Sequence, residues 1–279
     1  IAGPTASGKS SVAVAIAERL NGVVINADAM QLYAELDVLT SRPSRADEAS
    51  VAHRLFGCAS ASEAWSAGRW LEAATAEIEA AWHIGKVPVI AGGTGLYFKA
   101  LEEGLSPVPD VPGPIRDRWR ERLQHEGPHV LHAELAKAAA GDAARLKPSD
   151  SQRIVRALEV LEATGKPLGD HFAAAKQASV LANAAVRRVA LTPPRAELYQ
   201  VCDARFIAMI ERGAVREVQR LLALNLSPAL PAMKAIGVQA LAAHLRGETS
   251  LQDAIALAQR QTRNYAKRQM TWVRNQMTD

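Results

Sequence analysis

The chain has 279 residues, 48% of them hydrophobic and 22% charged, with a formal net charge of +4. That suffices for a full buried core in one or two domains, and no apolar run approaches the roughly 18 residues of a membrane span. Cys58 and Cys202 stand far apart, with no Cys-x-x-Cys pair; a reduced, cytoplasmic protein without membrane attachment is expected. The small positive charge is compatible with a nucleic-acid partner without requiring one. No charged-then-apolar leader opens the chain. Only Ile1-Ala2 precede the first motif, where a strand is expected, so the chain is expected to be trimmed at this end.

The first motif is Gly3-Pro4-Thr5-Ala6-Ser7-Gly8-Lys9-Ser10, a phosphate-binding loop of the form G-x-x-x-x-G-K-S. Gly3 and Gly8 let the backbone turn tightly enough to aim N–H groups at phosphate oxygens, and the following helix N-terminus adds its positive end. Lys9 supplies a mobile charge, and the Ser10 hydroxyl can ligate a Mg²⁺ ion shared with the phosphates. Val12, Ile16 and Leu20 repeat at helical spacing, so a helix starts at the loop and stops near Asn21-Gly22. The motif binds a di- or triphosphate without saying which.

Val23-Val24-Ile25 reads as a short buried strand ending at Asn26-Ala27-Asp28. Ligand sites in open parallel sheets lie beyond the strand carboxyl ends, so Asp28 faces the phosphate loop. It is a Mg²⁺ ligand or a general base, or else the N-cap of a helix over Met30-Gln31-Leu32-Tyr33. Arg69 to Gly85 is helical, with Leu71, Ala74, Ile78 and Trp82 on one face. Val87 to Ala91 is the next strand, and it runs into Gly92-Gly93-Thr94-Gly95 where many phosphate-loop ATPases place a Mg²⁺-holding Asp. Those glycines suit close approach of backbone to a ligand, or only a tight turn; Thr94 is the turn's one hydroxyl.

Ser106 to Pro114 holds four prolines in nine residues, which ends the strand–helix rhythm. From Ile115 to about Lys176 the texture is helical. One helix has Ser149 as N-cap with Gln152 three residues on, and Gly165 as C-cap. Val186 to Leu191 alternates like a strand, and helices follow to the end. The expected architecture is an α/β, P-loop-containing parallel-sheet core with an all-helical insertion domain: core residues 1–107, insertion 108–182, and core continuation with a helical C-terminal part 183–279.

Two basic groups stand out: Arg145, Lys147, Arg153 and Arg156 in the insertion, and Arg260, Arg263, Lys267 and Arg274 on one face of the last helix. Tyr265 and Trp272 occupy another face of that helix. The groups are solvated faces or a groove tracking a phosphate backbone. His125, His129 and His132 have metal-like spacing, but Pro128 interrupts the helix that would align them.

These residues together resemble the bacterial tRNA dimethylallyltransferases, over nearly the whole chain. The similarity rests on Gly3–Ser10, Asp28–Tyr33, Gly92–Phe98, Gln152–Val160, Thr164–Pro167 and Thr262–Trp272. It implies transfer of a dimethylallyl group from dimethylallyl diphosphate, with Mg²⁺, to N6 of the adenosine 3′ to a tRNA anticodon. By resemblance Thr5 contacts the diphosphate near its bridging oxygen, Asp28 takes the amine proton, and Arg205 faces the diphosphate. Asp28, Ala29, Met30, Gln31, Thr94 and Arg116 match segments facing tRNA, as do Gln152, Arg153, Ile154, Val155 and Arg156, and Met233, Lys234, Ala235, Ile236, Gly237 and Val238. The insertion matches the family's lid, and a monomer acting on the anticodon loop is expected. Leu39 stands where the family usually has Gly, so strain is expected if that turn needs positive φ. Arg54 and Val238 replace a common His and a frequent aromatic. The rivals are a small-molecule kinase using ATP with Asp28 as base, and a non-catalytic RNA-binding protein with a vestigial loop.

Overall fold

A computed structural model of the chain describes residues 1–173 and 179–277. They divide into two compact units, Ile1–Glu102 with Val180–Asp279, and Glu103–Ser179.

The first unit opens with α1 (Lys9–Arg19) and β1 (Gly22–Ala27), then α2 (Arg45–Ser50), β2 (His53–Arg54), α3 (Ala67–His83), β3 (Val87–Gly92) and α4 (Gly95–Glu103). The three strands are parallel in the order β2-β1-β3, with β1 and β3 in register from Gly22↔Val87 to Ala27↔Gly92. All six residues of β1 are buried, as in a central strand covered on both faces. On one face, Ala13 and Ala17 of α1 pack with Val24, Val89 and Ala91. Small side chains let α1 approach the sheet, with Ile16 packed at the edge of that contact and Leu20 53% exposed. Asn21 turns the chain with φ 51°. On the other face Trp70, Ala74 and Ile78 of α3 enter the main core, and Trp82 points outward. Trp70 stacks on Tyr97 at 4.1 Å and donates through Nε1 to Asn26 O at 2.8 Å. That hydrogen bond lets an indole sit fully buried beside the end of β1.

Ala2 forms single parallel bridges to Gly92 and to Ala190. The expected strand over Val186–Leu191 is thus reduced to one bridge, made by Ala2 N–H to Val189 O and Leu191 N–H to Ala2 O, both 2.9 Å.

The second unit contains α5 (Gly113–Ala138), α6 (Ala140–Ala143), α7 (Ser151–Thr164) and α8 (Leu168–Ala173). No strand occurs among its described residues, and its core joins Trp119, Leu131 and Leu135 to Ile154 and Leu158. Gly127 (φ 77°) and Pro128 break α5, and His132 bonds to the carbonyls of Ala143 and Leu146. Among the described residues no three His, Cys, Asp or Glu side chains are grouped to hold a metal. The cap of α7 is Asp150, not Ser149, because the Asp150 carboxylate accepts Arg153 N–H; Gly165 closes the helix at φ 68°.

The chain returns to the first unit as α9 (Arg195–Glu211), α10 (Ala214–Ala223), a 3-10 turn (Ala232–Lys234), α11 (Val238–Leu245) and α12 (Leu251–Gln276). Ser250 caps α12 through Asp253 N–H. Phe206, Val218, Leu241, Ala258 and Val273 from these helices join Ile25, Trp70 and Phe98 in one core, which brings α9 and α12 to the carboxyl end of the sheet.

Candidate active site

The phosphate loop bends at Ala6 (φ 66°) and Gly8 (φ 80°). Gly3 has no left-handed φ, and its missing side chain serves packing. A Cβ there would come within 2.7 Å of Ser7 Oγ and 3.1 Å of Leu191 Cβ. Gly8 is the N-cap of α1 and supplies no capping side chain, so the first-turn amides keep their donors for a ligand. Lys9 arches back over the loop, Nζ donating to Pro4 O at 3.2 Å, and the Ser10 hydroxyl is exposed.

Arg205 reaches this loop from α9. Its Nη2 donates to Thr5 Oγ1, which ties the two resemblance-matched residues together. Arg205 Nε and Ser7 Oγ are buried without a hydrogen-bond partner. Burial lowers the Lys9 ammonium's pKa, with Asp28 opposing and Arg205 reinforcing. The Arg205 guanidinium is lowered by burial too, with Cys202 and Asp28 opposing. Two desolvated cations, Lys9 and Arg205, and the unpartnered Ser7 hydroxyl around one loop suit an anionic ligand.

Asp28 emerges from β1 at the same end. Buried Asn26 shapes the exit: its Oδ1 accepts Asp28 N–H at 2.8 Å, and its Nδ2 donates to Asp28 O and Leu55 O. Asp28 Oδ1 accepts Met30 N–H at 3.0 Å, a local side-chain turn. No helix follows over Met30–Tyr33, so the N-cap alternative is set aside. Thr94 Oγ1 accepts Ala29 N–H at 3.0 Å, which fixes the turn after β3 against the Asp28 segment. The glycines of that turn approach protein, not ligand. A Cβ on Gly92 would lie 2.1 Å from the Ala27 carbonyl, one on Gly93 2.1 Å from Gln269 Nε2, and one on Gly95 2.4 Å from Trp272.

Thr5, Asp28, Thr94 and Arg205 share one cavity of about 350 Å³. Leu39, Phe206, Met209 and Ile236 supply its apolar wall, and Tyr265 and Arg268 of α12 close another side. Burial and the charge of Asp28 hold the Tyr265 hydroxyl well above its ordinary pKa, against weaker opposite pulls from Thr94 and Gln269. Leu39 has no left-handed φ, so the strain expected there is absent; Ser41 takes that conformation, at φ 50°. The Leu39 loop is instead gripped by Glu217 of α10, 1% exposed, whose carboxylate accepts the N–H groups of Asp37 (2.8 Å), Val38 (2.7 Å) and Leu39 (2.9 Å).

Ala29, Met30, Lys234, Ala235 and Ile236 also line the cavity. Gln31 Nε2 donates to the carbonyls of Thr40 and Ser41. Met233 and Val238 are core residues at 4% and 0% exposure, and Gly237 (φ 95°) gives room to Leu39 and Phe206. Their side chains therefore present nothing to a macromolecule. In the helical unit Ile154 and Val155 are core, whereas Arg116, Gln152 and Arg153 are exposed and Arg156 is partly so. On α12, Arg263 is not a free cation: both Asp203 carboxylate oxygens lie within 2.7 Å of its Nη1. Tyr265, Arg268, Gln269, Asn26 and Glu217 were missed as site-forming residues. For Gln269 and Glu217 no local pattern marks the role, because each acts across more than 170 residues.

A phosphate loop beside a half-apolar cavity, with a carboxylate and an arginine converging on it, defines an α/β phosphate-loop protein built for an anionic ligand carrying an apolar group. A family model described as IPP transferase matches residues 31–276. The chain is 53% identical over 277 residues to a tRNA dimethylallyltransferase of Rhodospirillum centenum, covering 99% of this chain and 88% of that one. It is 50% identical over 279 residues to one from a Bradyrhizobium species, covering 100% and 91%. A crystal structure of the full-length tRNA isopentenylpyrophosphate transferase of Bacillus halodurans matches with a TM-score of 0.68 at 31% identity, over 99% of this chain and 86% of that one. A eukaryotic dimethylallyltransferase acting on tRNA matches with a TM-score of 0.79 at 26% identity, over 98% and 68%. The chain belongs to the IPP transferase family, with the tRNA dimethylallyltransferases.

Proposed function

We propose that this protein transfers a dimethylallyl group from dimethylallyl diphosphate to N6 of the adenosine 3′ to the anticodon in tRNA, releasing diphosphate. The observation that carries this reading is the meeting of Thr5, Arg205 and Asp28 in one cavity, at the phosphate loop and against an apolar wall, in a chain of this family.

The N6 lone pair attacks C1 of the prenyl group as the C1–O bond breaks, and that bond's electron pair leaves on the diphosphate. Asp28 takes the N6 proton. The amine lone pair is delocalised into the purine ring, so a positioned base is worth roughly 10²–10⁴-fold. The α1 first-turn amides, Lys9, Arg205 and the Thr5 hydroxyl surround the leaving group, and such preformed donors are the largest catalytic term in many enzymes. The prenyl chain rests against Leu39, Phe206 and Met209. The exposed Ser10 hydroxyl, a hard oxygen donor, would hold Mg²⁺ beside the diphosphate. When bound, the ion neutralises charge gathering on the diphosphate.

The target base is flipped into the cavity before it reacts, and Ala29, Met30, Gln31, Thr94 and the Lys234–Ile236 segment face it or its neighbours. Arg116, Gln152, Arg153 and Arg156 meet the tRNA backbone. The reading takes the protein to work as a monomer in the cytoplasm. A kinase is not favoured, since β3 ends in Gly92 without a carboxylate. The test is inhibition by inorganic diphosphate. It should compete with the prenyl donor, and diphosphate should be released in step with modified tRNA. ADP formed in proportion to product would replace this reading with a kinase.

A further inference from the structure

Gln269 sits on α12, 5% exposed, with both ends of its amide engaged. Its Oε1 accepts Thr5 N–H at 2.8 Å, and its Nε2 donates to Gly93 O at 2.9 Å. Thr5 N–H can only donate and Gly93 C=O can only accept, so the partners leave one amide orientation. The site is shaped to admit this side chain: any Cβ at position 93 would fall 2.1 Å from Nε2. Trp272, three residues on, lies against Gly95 in the same way.

From this geometry we infer that Gln269 is a positioning residue that sets the leaving-group loop and the base-bearing segment at a fixed separation. It rests on the diphosphate reading above. One end holds the backbone of Thr5, whose hydroxyl meets Arg205. The other holds Gly93, next to Thr94, whose hydroxyl holds Ala29 beside Asp28. A single buried amide thus spans the two halves of the reaction. Two consequences follow. Thr5 N–H is committed to Gln269 and is not a phosphate donor; diphosphate is bound by the α1 first turn, Lys9 and Arg205. And loss of either hydrogen bond shifts the leaving group relative to the base, where a displacement of about 1 Å costs roughly 10² in rate.

The test uses Gln269→Glu, which keeps an acceptor for Thr5 N–H but sets a carboxylate against Gly93 O, and Gln269→Met, which removes both bonds at similar size. In both, kcat should fall about 10–100-fold and Kd for inorganic diphosphate rise severalfold, with tRNA affinity within twofold of the parent. Val273→Ala, a core change on the same helix, should lower Tm and leave Kd for inorganic diphosphate unchanged. Amide NMR of the parent protein supplies a readout that needs no variant. Thr5 N–H should be protected from exchange with or without inorganic diphosphate, while the Lys9 and Ser10 amides shift on its addition. Gln269 variants that fold and keep parental kcat would overturn the inference, as would a Thr5 amide protected only when diphosphate is added. Failure of the parent to bind inorganic diphosphate would instead strike the diphosphate reading itself.

Discussion

Asp28→Asn removes the charge of the proposed base while keeping nearly every contact that positions it. The asparagine Oδ1 can still accept Met30 N–H, and Asn26 still holds the Asp28 backbone at both its N–H and its carbonyl. The change is therefore electronic. Loss of a general base costs roughly 10²–10⁴-fold, or about 3–5 kcal/mol at 1.36 kcal/mol per decade. A second effect runs the other way in the resting protein. Asp28 supports the charged forms of Lys9 and Arg205 and disfavours ionisation of Tyr265. Its removal leaves both cations less favourably placed, so diphosphate, the anion they await, should bind at least as well. The assay is single-turnover modification at saturating prenyl donor, with tRNA affinity measured separately. The expected result is a rate at least about 10²-fold lower with tRNA affinity nearly unchanged. A single-turnover rate within a few-fold of the parent would refute the base assignment.

Lys9→Met should abolish diphosphate binding yet raise the Tm of the ligand-free protein at neutral pH. The sign follows from burial lowering the Lys9 pKa: between folded and unfolded values the unfolded chain binds more protons, stability rises with pH, and below that window the buried charge is a standing cost that the variant removes. A Tm that falls would contradict this. Glu217→Ala strands three backbone donors and should cost about 2–4 kcal/mol in urea unfolding, at roughly 1–3 kcal/mol per buried unsatisfied group less relaxation. Exposed Glu248→Ala, whose partner is Arg246, should leave the urea midpoint nearly unchanged. For tRNA binding, neutralising exposed Lys267, or Arg153 whose exposed ion pair with Asp150 is a loose 3.6 Å, should make the log–log salt slope shallower by about 0.7 per lost phosphate contact. Arg263→Gln should not, because Asp203 already holds Arg263. Equal slopes for all three would refute the division between loosely held cations and the tightly paired Arg263.

The sequence carried the parts whose physics is local. A Gly/Lys/Ser loop opening a helix, a buried strand ending in Asp28 and a proline run before helical texture each depend on neighbouring residues. The errors were also local in origin. Spacing of Val12, Ile16 and Leu20 marked α1 as a helix but not which residues meet the sheet, where close approach selects Ala13 and Ala17. The glycines at 92, 93 and 95 left ligand approach and a tight turn both open, because sequence shows that room is made but not for what; Ala27, Gln269 and Trp272 fill it. Ser149 looked a better cap than Asp150 by its partner three residues on, and the carboxylate one position later takes the role. What lay beyond reach was the long-range wiring. Glu217 on the Leu39 loop, Gln269 on Thr5, and Asp203 neutralising Arg263 are set by how α9, α10 and α12 pack.

The central claim is that an apolar five-carbon group leaves a diphosphate held at Thr5 and Arg205 and joins an adenosine of tRNA. The most direct test incubates the protein with undermodified tRNA, dimethylallyl diphosphate and Mg²⁺, without any nucleoside triphosphate, and reads the digested nucleosides by mass spectrometry. The account predicts a gain of C5H8 on the adenosine 3′ to the anticodon, lost in Asp28→Asn. Unmodified tRNA under these conditions, or modification only when ATP is added, would contradict it.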